Sequence, residues 1–78
     1  MRSVVYQKPI YLKDVATARK ISDMSAAAGI GVTVSCGTVI LDARSILGLL
    51  SLIGQHIYLS APDHSNPEDF SKLIKKIG

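Results

Sequence analysis

The sequence has few of the features that direct a protein to secretion or hold it in a membrane. It contains one cysteine, Cys36, so no disulfide can form within the chain, which fits a reducing compartment. Its longest uninterrupted apolar run is far shorter than the roughly 20 residues that span a bilayer. Residues 1–6 reach no long apolar region before Gln7 and Lys8, so no signal peptide is expected. These absences predict a cytoplasmic protein without a membrane partner.

The chain also lacks the patterns of nucleic-acid binding, metal binding and catalysis. Its formal net charge is +3, but only Lys72, Lys75 and Lys76 cluster, where they would complement the dipole at a helix C-terminus. The two histidines, His56 and His64, are isolated and have no carboxylate cluster beside them, so they predict no metal site. No nucleophile and base stand at a usable spacing. We therefore expect no direct nucleic-acid partner, no cofactor, no metal and no enzymatic activity.

What remains is a short, apolar chain without repeats, linkers or low-complexity segments. Its 78 residues are 47% hydrophobic, which predicts a single globular domain over residues 1–78 with one modest core. Residues 3–6 and 10–12 favour β-structure but are separated by Pro9. We therefore expect an edge strand, or a strand with a kinked exit, at the start of the chain.

The rest of the chain shows six further elements. Asp14 is predicted to cap the first helix and Gly29 to end it. Alternating residues predict a hairpin that turns at Gly37 with one buried face, and a fourth strand over residues 56–60. The run over residues 66–69 starts the last helix. The order β-α-β-β-α-β-α predicts an α+β fold, with three helices on one face of a four-stranded antiparallel sheet. Helical spacing assigns Val15, Ala18, Ile21 and Ala28 to the core from the first helix, and Phe70, Leu73, Ile74 and Ile77 from the last.

The segment between the hairpin and the fourth strand carries a candidate modification site. Asp42 is predicted to cap a helix, because a short carboxylate can accept hydrogen bonds from the amides of the first turn. Ser45 then falls in that turn beside Arg44, where a phosphate would meet the positive end of the helix. At about 100° per residue, Leu47 points away from the core face and Leu50 lies at its margin. These two leucines are either ordinary isolated surface residues or a partner-binding patch. The predicted core face comprises Ile46, Leu49, Leu52 and Ile53.

This segment resembles a known family. Residues 33–60, and above all the run SILGLLSL over residues 45–52, resemble the regulatory-serine region of HPr, the small phosphocarrier of the bacterial sugar phosphotransferase system. The predicted element order is that of HPr's open-faced β-sandwich. The resemblance implies that Ser45 matches the serine that a dedicated ATP-dependent kinase phosphorylates in many Gram-positive members. The positions it assigns to partner docking are Ala16, Thr17, Arg44, Leu47 and Leu50.

The chain departs from the family at the start of the first helix. HPr carries phosphate on a histidine there, followed by a small residue, an arginine and a proline, whereas this chain has the run DVAT over residues 14–17. Asp14 takes the place of the histidine and Ala16 that of the arginine. An imidazole nitrogen is nucleophilic near neutral pH, whereas an exposed aspartate without a metal or cation beside it has no comparable activation. The pattern resembles the catabolite-repression paralogue of HPr, a regulator that does not relay phosphate to sugars.

Three hypotheses follow for the function. The first is a bacterial regulatory protein related to the phosphotransferase system, which is switched at Ser45 and docks through its second helix. Its partners would be HPr kinase, a transcription regulator or phosphotransferase components. The second is a weak phosphocarrier that uses Asp14 as its acceptor. The third is a diverged module of the same fold that binds an unrelated partner, or self-associates through its sheet face or helix flank.

Overall fold

The described part of the chain contains seven elements in the predicted order. The structure is a computed structural model that describes residues 6–61 and 66–77. The strands are β1 (Tyr6–Tyr11), β2 (Thr33–Cys36), β3 (Val39–Asp42) and β4 (His56–Ala61). The helices are α1 (Val15–Ala28), α2 (Ile46–Leu50) and α3 (Pro67–Ile77). This confirms the predicted α+β class, with one four-stranded antiparallel sheet and three helices.

β1 forms one edge of the sheet, whose strand order is β1-β4-β2-β3. The prediction of an edge strand is therefore confirmed, but the predicted break at Pro9 is wrong. Pro9 lies inside β1 and is paired with Tyr58 of β4. A proline is tolerated there because an edge strand bonds to a neighbour on one side only, so a missing N–H on the open side costs no ladder bond. Residues 3–5 of the predicted strand lie outside the described residues.

The sheet has one covered and one open face, as β4 shows most clearly. Ile57 and Leu59 are fully buried beneath the helices, whereas Tyr58 between them is 49% exposed. This alternation is the expected signature of a half-buried strand. The hairpin of β2 and β3 also turns as predicted, with Gly37 at a φ of +61°, a backbone conformation that glycine adopts at little steric cost.

β3 departs from the predicted buried face. Val34 in β2 is fully buried and Leu41 in β3 is half-buried, but Val39 and Ile40 are exposed. The physical reason is position, since β3 is the outer strand of the sheet and has a neighbour on one side only. Its apolar residues are therefore an exposed edge and not a second core strand.

α1 begins and ends where the sequence predicts, but its inward face is shifted. Asp14 is the N-cap, and Gly29 is the C-cap with a φ of 69°. Val15 and Ala28, predicted as core, are exposed. The buried positions follow the i, i+3, i+4, i+7 spacing of one helix face, so the first turn lies outside the core. The buried residues are Ala18, Ile21, Ser22 and Ser25.

α3 closes the core. It begins after Asn66, whose side chain accepts a hydrogen bond from the Glu68 amide at 2.8 Å. Three of its four predicted core residues are buried, and Ile74 is half-buried. The buried apolar residues of the described chain are Leu12, Ala18, Ile21, Val32, Val34, Ala43, Leu49, Leu52, Ile57, Leu59, Ala61, Phe70, Leu73 and Ile77.

Candidate functional site

The start of α1, where the resemblance places the phosphorylated histidine of HPr, holds a carboxylate that serves as the helix cap. The Asp14 Oδ1 accepts hydrogen bonds from the Thr17 amide at 2.8 Å and from the Thr17 hydroxyl at 2.7 Å. These bonds, with a smaller contribution from the charge of Lys13, hold the pKa of Asp14 below its ordinary value. Asp14 is therefore an ionised acceptor at neutral pH, and one of its oxygens is already bonded.

A groove of about 730 Å³ opens beside this cap. Asp14, Ala16 and Thr17 line it together with residues of β1 and α3, and no residue of α2 lines it. The residues assigned to docking by resemblance therefore fall into two groups. One lies along this groove and the other lies on and just before α2.

The start of α2 corrects the sequence interpretation. Asp42, predicted as the cap, is the last residue of β3, and its backbone carbonyl accepts a hydrogen bond from the Ser45 amide at 2.9 Å. Ser45, predicted in the first turn, is itself the N-cap of a five-residue helix. Its hydroxyl oxygen accepts the Gly48 amide at 3.4 Å. The helix thus starts later than predicted, because the chain first makes a turn at the end of β3.

Asp42 is bonded to Arg44 instead of to the helix. The Arg44 guanidinium donates to both carboxylate oxygens, with a closest distance of 2.7 Å, and the Arg44 amide donates at 2.9 Å. These hydrogen bonds lower the pKa of Asp42 to about 2. The cation next to Ser45 is therefore held by a carboxylate before any phosphate is added.

A buried serine that the sequence interpretation missed ties this segment to α1. The Ser22 hydroxyl donates to the Arg44 carbonyl at 2.9 Å, and Ser22 is only 8% exposed. A buried hydroxyl needs such a partner, since leaving it unbonded costs free energy. The signal was present in the sequence, because Ser22 and Ser25 continue the helical spacing of Ala18 and Ile21.

The leucines of α2 and of the turn after it divide between core and surface as the helical angles predict. Leu49 and Leu52 are buried, at 0% and 4% exposed. Leu47 is 79% exposed and Leu50 is 36% exposed. An exposed leucine two residues after the Ser45 cap places an apolar contact beside the candidate modification site.

The histidines form no catalytic or metal-binding cluster in the part of the chain that the structure describes. His56 is exposed on β4, and its ring lies 4.9 Å from that of Tyr11. His64 lies outside the described residues. Within residues 6–61 and 66–77, no three histidine, cysteine or acidic side chains are placed to hold a metal ion. No helix in those ranges is long and apolar enough to cross a bilayer.

Of the comparisons with known proteins, the structural one finds similar proteins and the sequence ones find none. No protein family and no curated protein matches the sequence. Among solved structures, the fold is similar to HPr-C-His from Thermoanaerobacter tengcongensis, with a TM-score of 0.70 and 21% identity over 92% of this chain and 90% of that chain. It is also similar to a phosphocarrier protein HPr from Bacillus anthracis str. Ames, with a TM-score of 0.68 and 16% identity over 96% of this chain and 99% of that chain. The chain therefore has the fold of the HPr proteins.

Proposed function

We propose that this chain is a cytoplasmic, bacterial regulatory protein of the HPr type that is switched by phosphorylation at Ser45 and docks through α2. The observation that carries the proposal is the placement of Ser45. It is an exposed N-cap hydroxyl with an exposed leucine two residues later. The fold, shared with a phosphocarrier protein HPr, supports an origin in the phosphotransferase system.

Phosphorylation at this position would change the charge of the α2 start. A phosphoserine adds a charge of about −1.5 to −2 near neutral pH. The positive end of the helix and Arg44 favour it, whereas the Asp42 carboxylate opposes it. We expect Arg44 to redistribute its hydrogen bonds between Asp42 and the phosphate, so the modification would alter the docking surface and leave the core unchanged.

The docking surface of the proposal consists of Ala16, Thr17, Arg44, Leu47 and Leu50. Leu47 supplies its most exposed apolar contact, and such contacts commonly anchor protein interfaces. The partners of the proposal are HPr kinase, a transcription regulator or phosphotransferase components. No cofactor, catalysis or nucleic-acid contact is part of it.

Phosphate relay through α1 is not part of the proposal. Asp14 is engaged by Thr17, and Ala16 stands where the resemblance places an arginine. The weak phosphocarrier hypothesis requires this carboxylate to accept a phosphoryl group while its Oδ1 is bonded to Thr17.

The test is phosphorylation by a bifunctional HPr kinase with ATP, with HPr as a positive control and the site mapped by fragmentation. We expect one phosphoryl group on Ser45 and none on the Ser45→Ala variant. Ser51→Ala is the matched control, since Ser51 is an exposed serine at the other end of α2, and it should be modified like the parent. If the kinase modifies HPr but leaves this chain unmodified, the proposal is wrong.

A further inference from the structure

The groove beside α1 combines an apolar floor with a basic rim, and α2 takes no part in it. Half-buried Ile10 and Ile74 contribute to its floor together with Ile77, which is buried. Its volume of about 730 Å³ is in the range of ligand and peptide sites. The rim carries Lys8 from β1, Lys13 from the β1–α1 connection and Lys20 from α1.

No described carboxylate neutralises the charge of the rim. Within the described ranges, the ion pair that forms joins Asp42 to Arg44, so none of the three rim lysines is paired with a described carboxylate. Among the described residues, Asp14 is the one acidic residue lining the groove, and its carboxylate is bonded to Thr17. The groove therefore presents three ammonium groups against one carboxylate that already serves the helix cap.

The chemistry of the groove favours carboxylates on a protein segment over a single phosphate. A phosphate site at a helix start uses unbonded backbone amides, and one of those of α1, the Thr17 amide, is taken by Asp14. No arginine of the described residues lines the groove to grip a phosphate with two hydrogen bonds. Lysines on separate elements, around an apolar floor, instead match several carboxylates flanking an apolar side chain.

A second copy of the chain is a poor candidate for binding in the groove, because of its charge. The chain carries a formal net charge of +3, so two copies repel each other at long range. Residues 1–5, which precede β1, include Arg2 and no acidic side chain. The complementary occupant is therefore an acidic segment of another protein.

We propose that the groove between β1, α1 and α3 binds an acidic, partly apolar segment of a partner protein. Its carboxylates pair with Lys8, Lys13 and Lys20, and its apolar side chain packs on Ile10 and Ile74. This site shares Ala16 and Thr17 with the docking surface of the proposed function, but it needs neither Ser45 nor Leu47.

The first experiment is an NMR titration of the full chain with two model peptides, EELEFLEE and its uncharged counterpart QQLQFLQQ. We expect the acidic peptide to shift the amide resonances that line the groove, and the effect to weaken as salt is raised. The uncharged peptide should bind far more weakly. If the acidic peptide causes no shifts, or shifts that map to another surface, the proposal is overturned.

Charge variants give the sharper test, because the lysines are exposed and their replacement should leave the protein folded. The double variant Lys13→Gln/Lys20→Gln should weaken peptide binding roughly four- to tenfold, since each exposed ion pair contributes modestly. The matched control is Lys72→Gln/Lys75→Gln, which removes the same charge from the exposed surface of α3, outside this groove. Equal weakening by both double variants would show non-specific attraction and overturn the proposal.

Two further outcomes separate this site from its alternatives. Inorganic phosphate added as a competitor should displace the peptide no better than chloride at equal ionic strength, and specific displacement would show a small-anion site instead. The Leu47→Asp variant should bind the acidic peptide like the parent. If it does not, the peptide site includes α2 and the groove has been wrongly assigned.

Discussion

The starts of α1 and α2 satisfy their first amides in opposite ways. At α1 a carboxylate accepts two short hydrogen bonds, at 2.8 and 2.7 Å. At α2 a neutral hydroxyl accepts one long bond, at 3.4 Å. A helix start favours negative charge, and α1 already has it in Asp14, whereas α2 has an uncharged Ser45. The contrast indicates that the first turn of α1 already has an anionic cap, whereas that of α2 has an uncharged one.

The hydrogen bonds around the two cap residues also differ. Asp14 is held by Thr17 within the same helix. Ser45 follows Arg44, whose guanidinium bonds to Asp42 and whose carbonyl accepts from Ser22 of α1. A change of charge at Ser45 therefore acts on a side-chain pair and on the contact between two helices, so α2 is the better placed of the two for a switch.

The largest expected effect tests whether Leu49 anchors α2 in the core, as the comparison of the two helix starts requires. Leu49→Ala should destabilise the protein by about 2 to 5 kcal/mol, because it removes a fully buried side chain from the core. Leu47→Ala, two positions earlier and 79% exposed, should stay within about 0.5 kcal/mol of the parent. Urea unfolding measures both. Similar losses for the two variants would mean that α2 is not oriented as described.

The next effect compares the two caps directly. Ser45→Ala should lower the free energy of unfolding by about 0.5 to 1 kcal/mol, in the lower part of the range for cap removal, since its bond is long. Asp14→Ala should lower the urea midpoint further, because it removes two short bonds and a charge that complements the helix dipole. A larger loss of stability in Ser45→Ala than in Asp14→Ala would refute the contrast between the caps.

The sequence predicted the elements well but mistook which residue caps α2. Asp42 and Ser45 are both good capping residues, three positions apart, and local propensity does not choose between them. The choice is made by Arg44, which bonds to Asp42 two residues before it. Helix rules do not anticipate such a pair, because i and i+2 side chains do not face each other on a helix.

The groove could not be predicted from the sequence because its residues come from separate elements. Lys8, Lys13 and Lys20 look like scattered surface charges along the chain, and they line one groove only in the folded chain. The exposed Leu47 was predictable, since helical angles depend on local spacing alone. The exposure of Leu47 therefore followed from local spacing, whereas features that join several elements required the fold.

A smaller effect concerns the stability of the protein at low pH. The pKa of Asp42 is lowered to about 2 from its ordinary 3.8, so its stabilising contribution is present above pH 4 or so and is lost as pH falls through the folded-state value. The stability difference between the parent and Asp42→Asn should therefore shrink from about pH 4 towards pH 2. It should be small throughout, because the pair is exposed. In an Arg44→Gln background the pH dependence of this difference should largely disappear; persistence would show that another group causes it.

The smallest expected effect on stability is that of Leu47→Asp. An exposed position tolerates a charge, so the thermal midpoint should remain close to that of the parent. Binding to a partner that uses α2 should be lost, because the apolar contact is replaced by a carboxylate. Differential scanning calorimetry checks the first expectation. Unfolding of this variant would show that Leu47 belongs to the core.

Intact-mass spectrometry after two separate incubations tests the contrast between the helix starts most directly. One incubation contains phosphoenolpyruvate and the first enzyme of the phosphotransferase system, the other contains HPr kinase and ATP, and each has HPr as a positive control. We predict no mass gain in the first, and in the second a single phosphoryl group that Ser45→Ala abolishes. A phosphoryl gain in the first that disappears in Asp14→Asn, or no gain in the second while HPr is modified, would contradict the account.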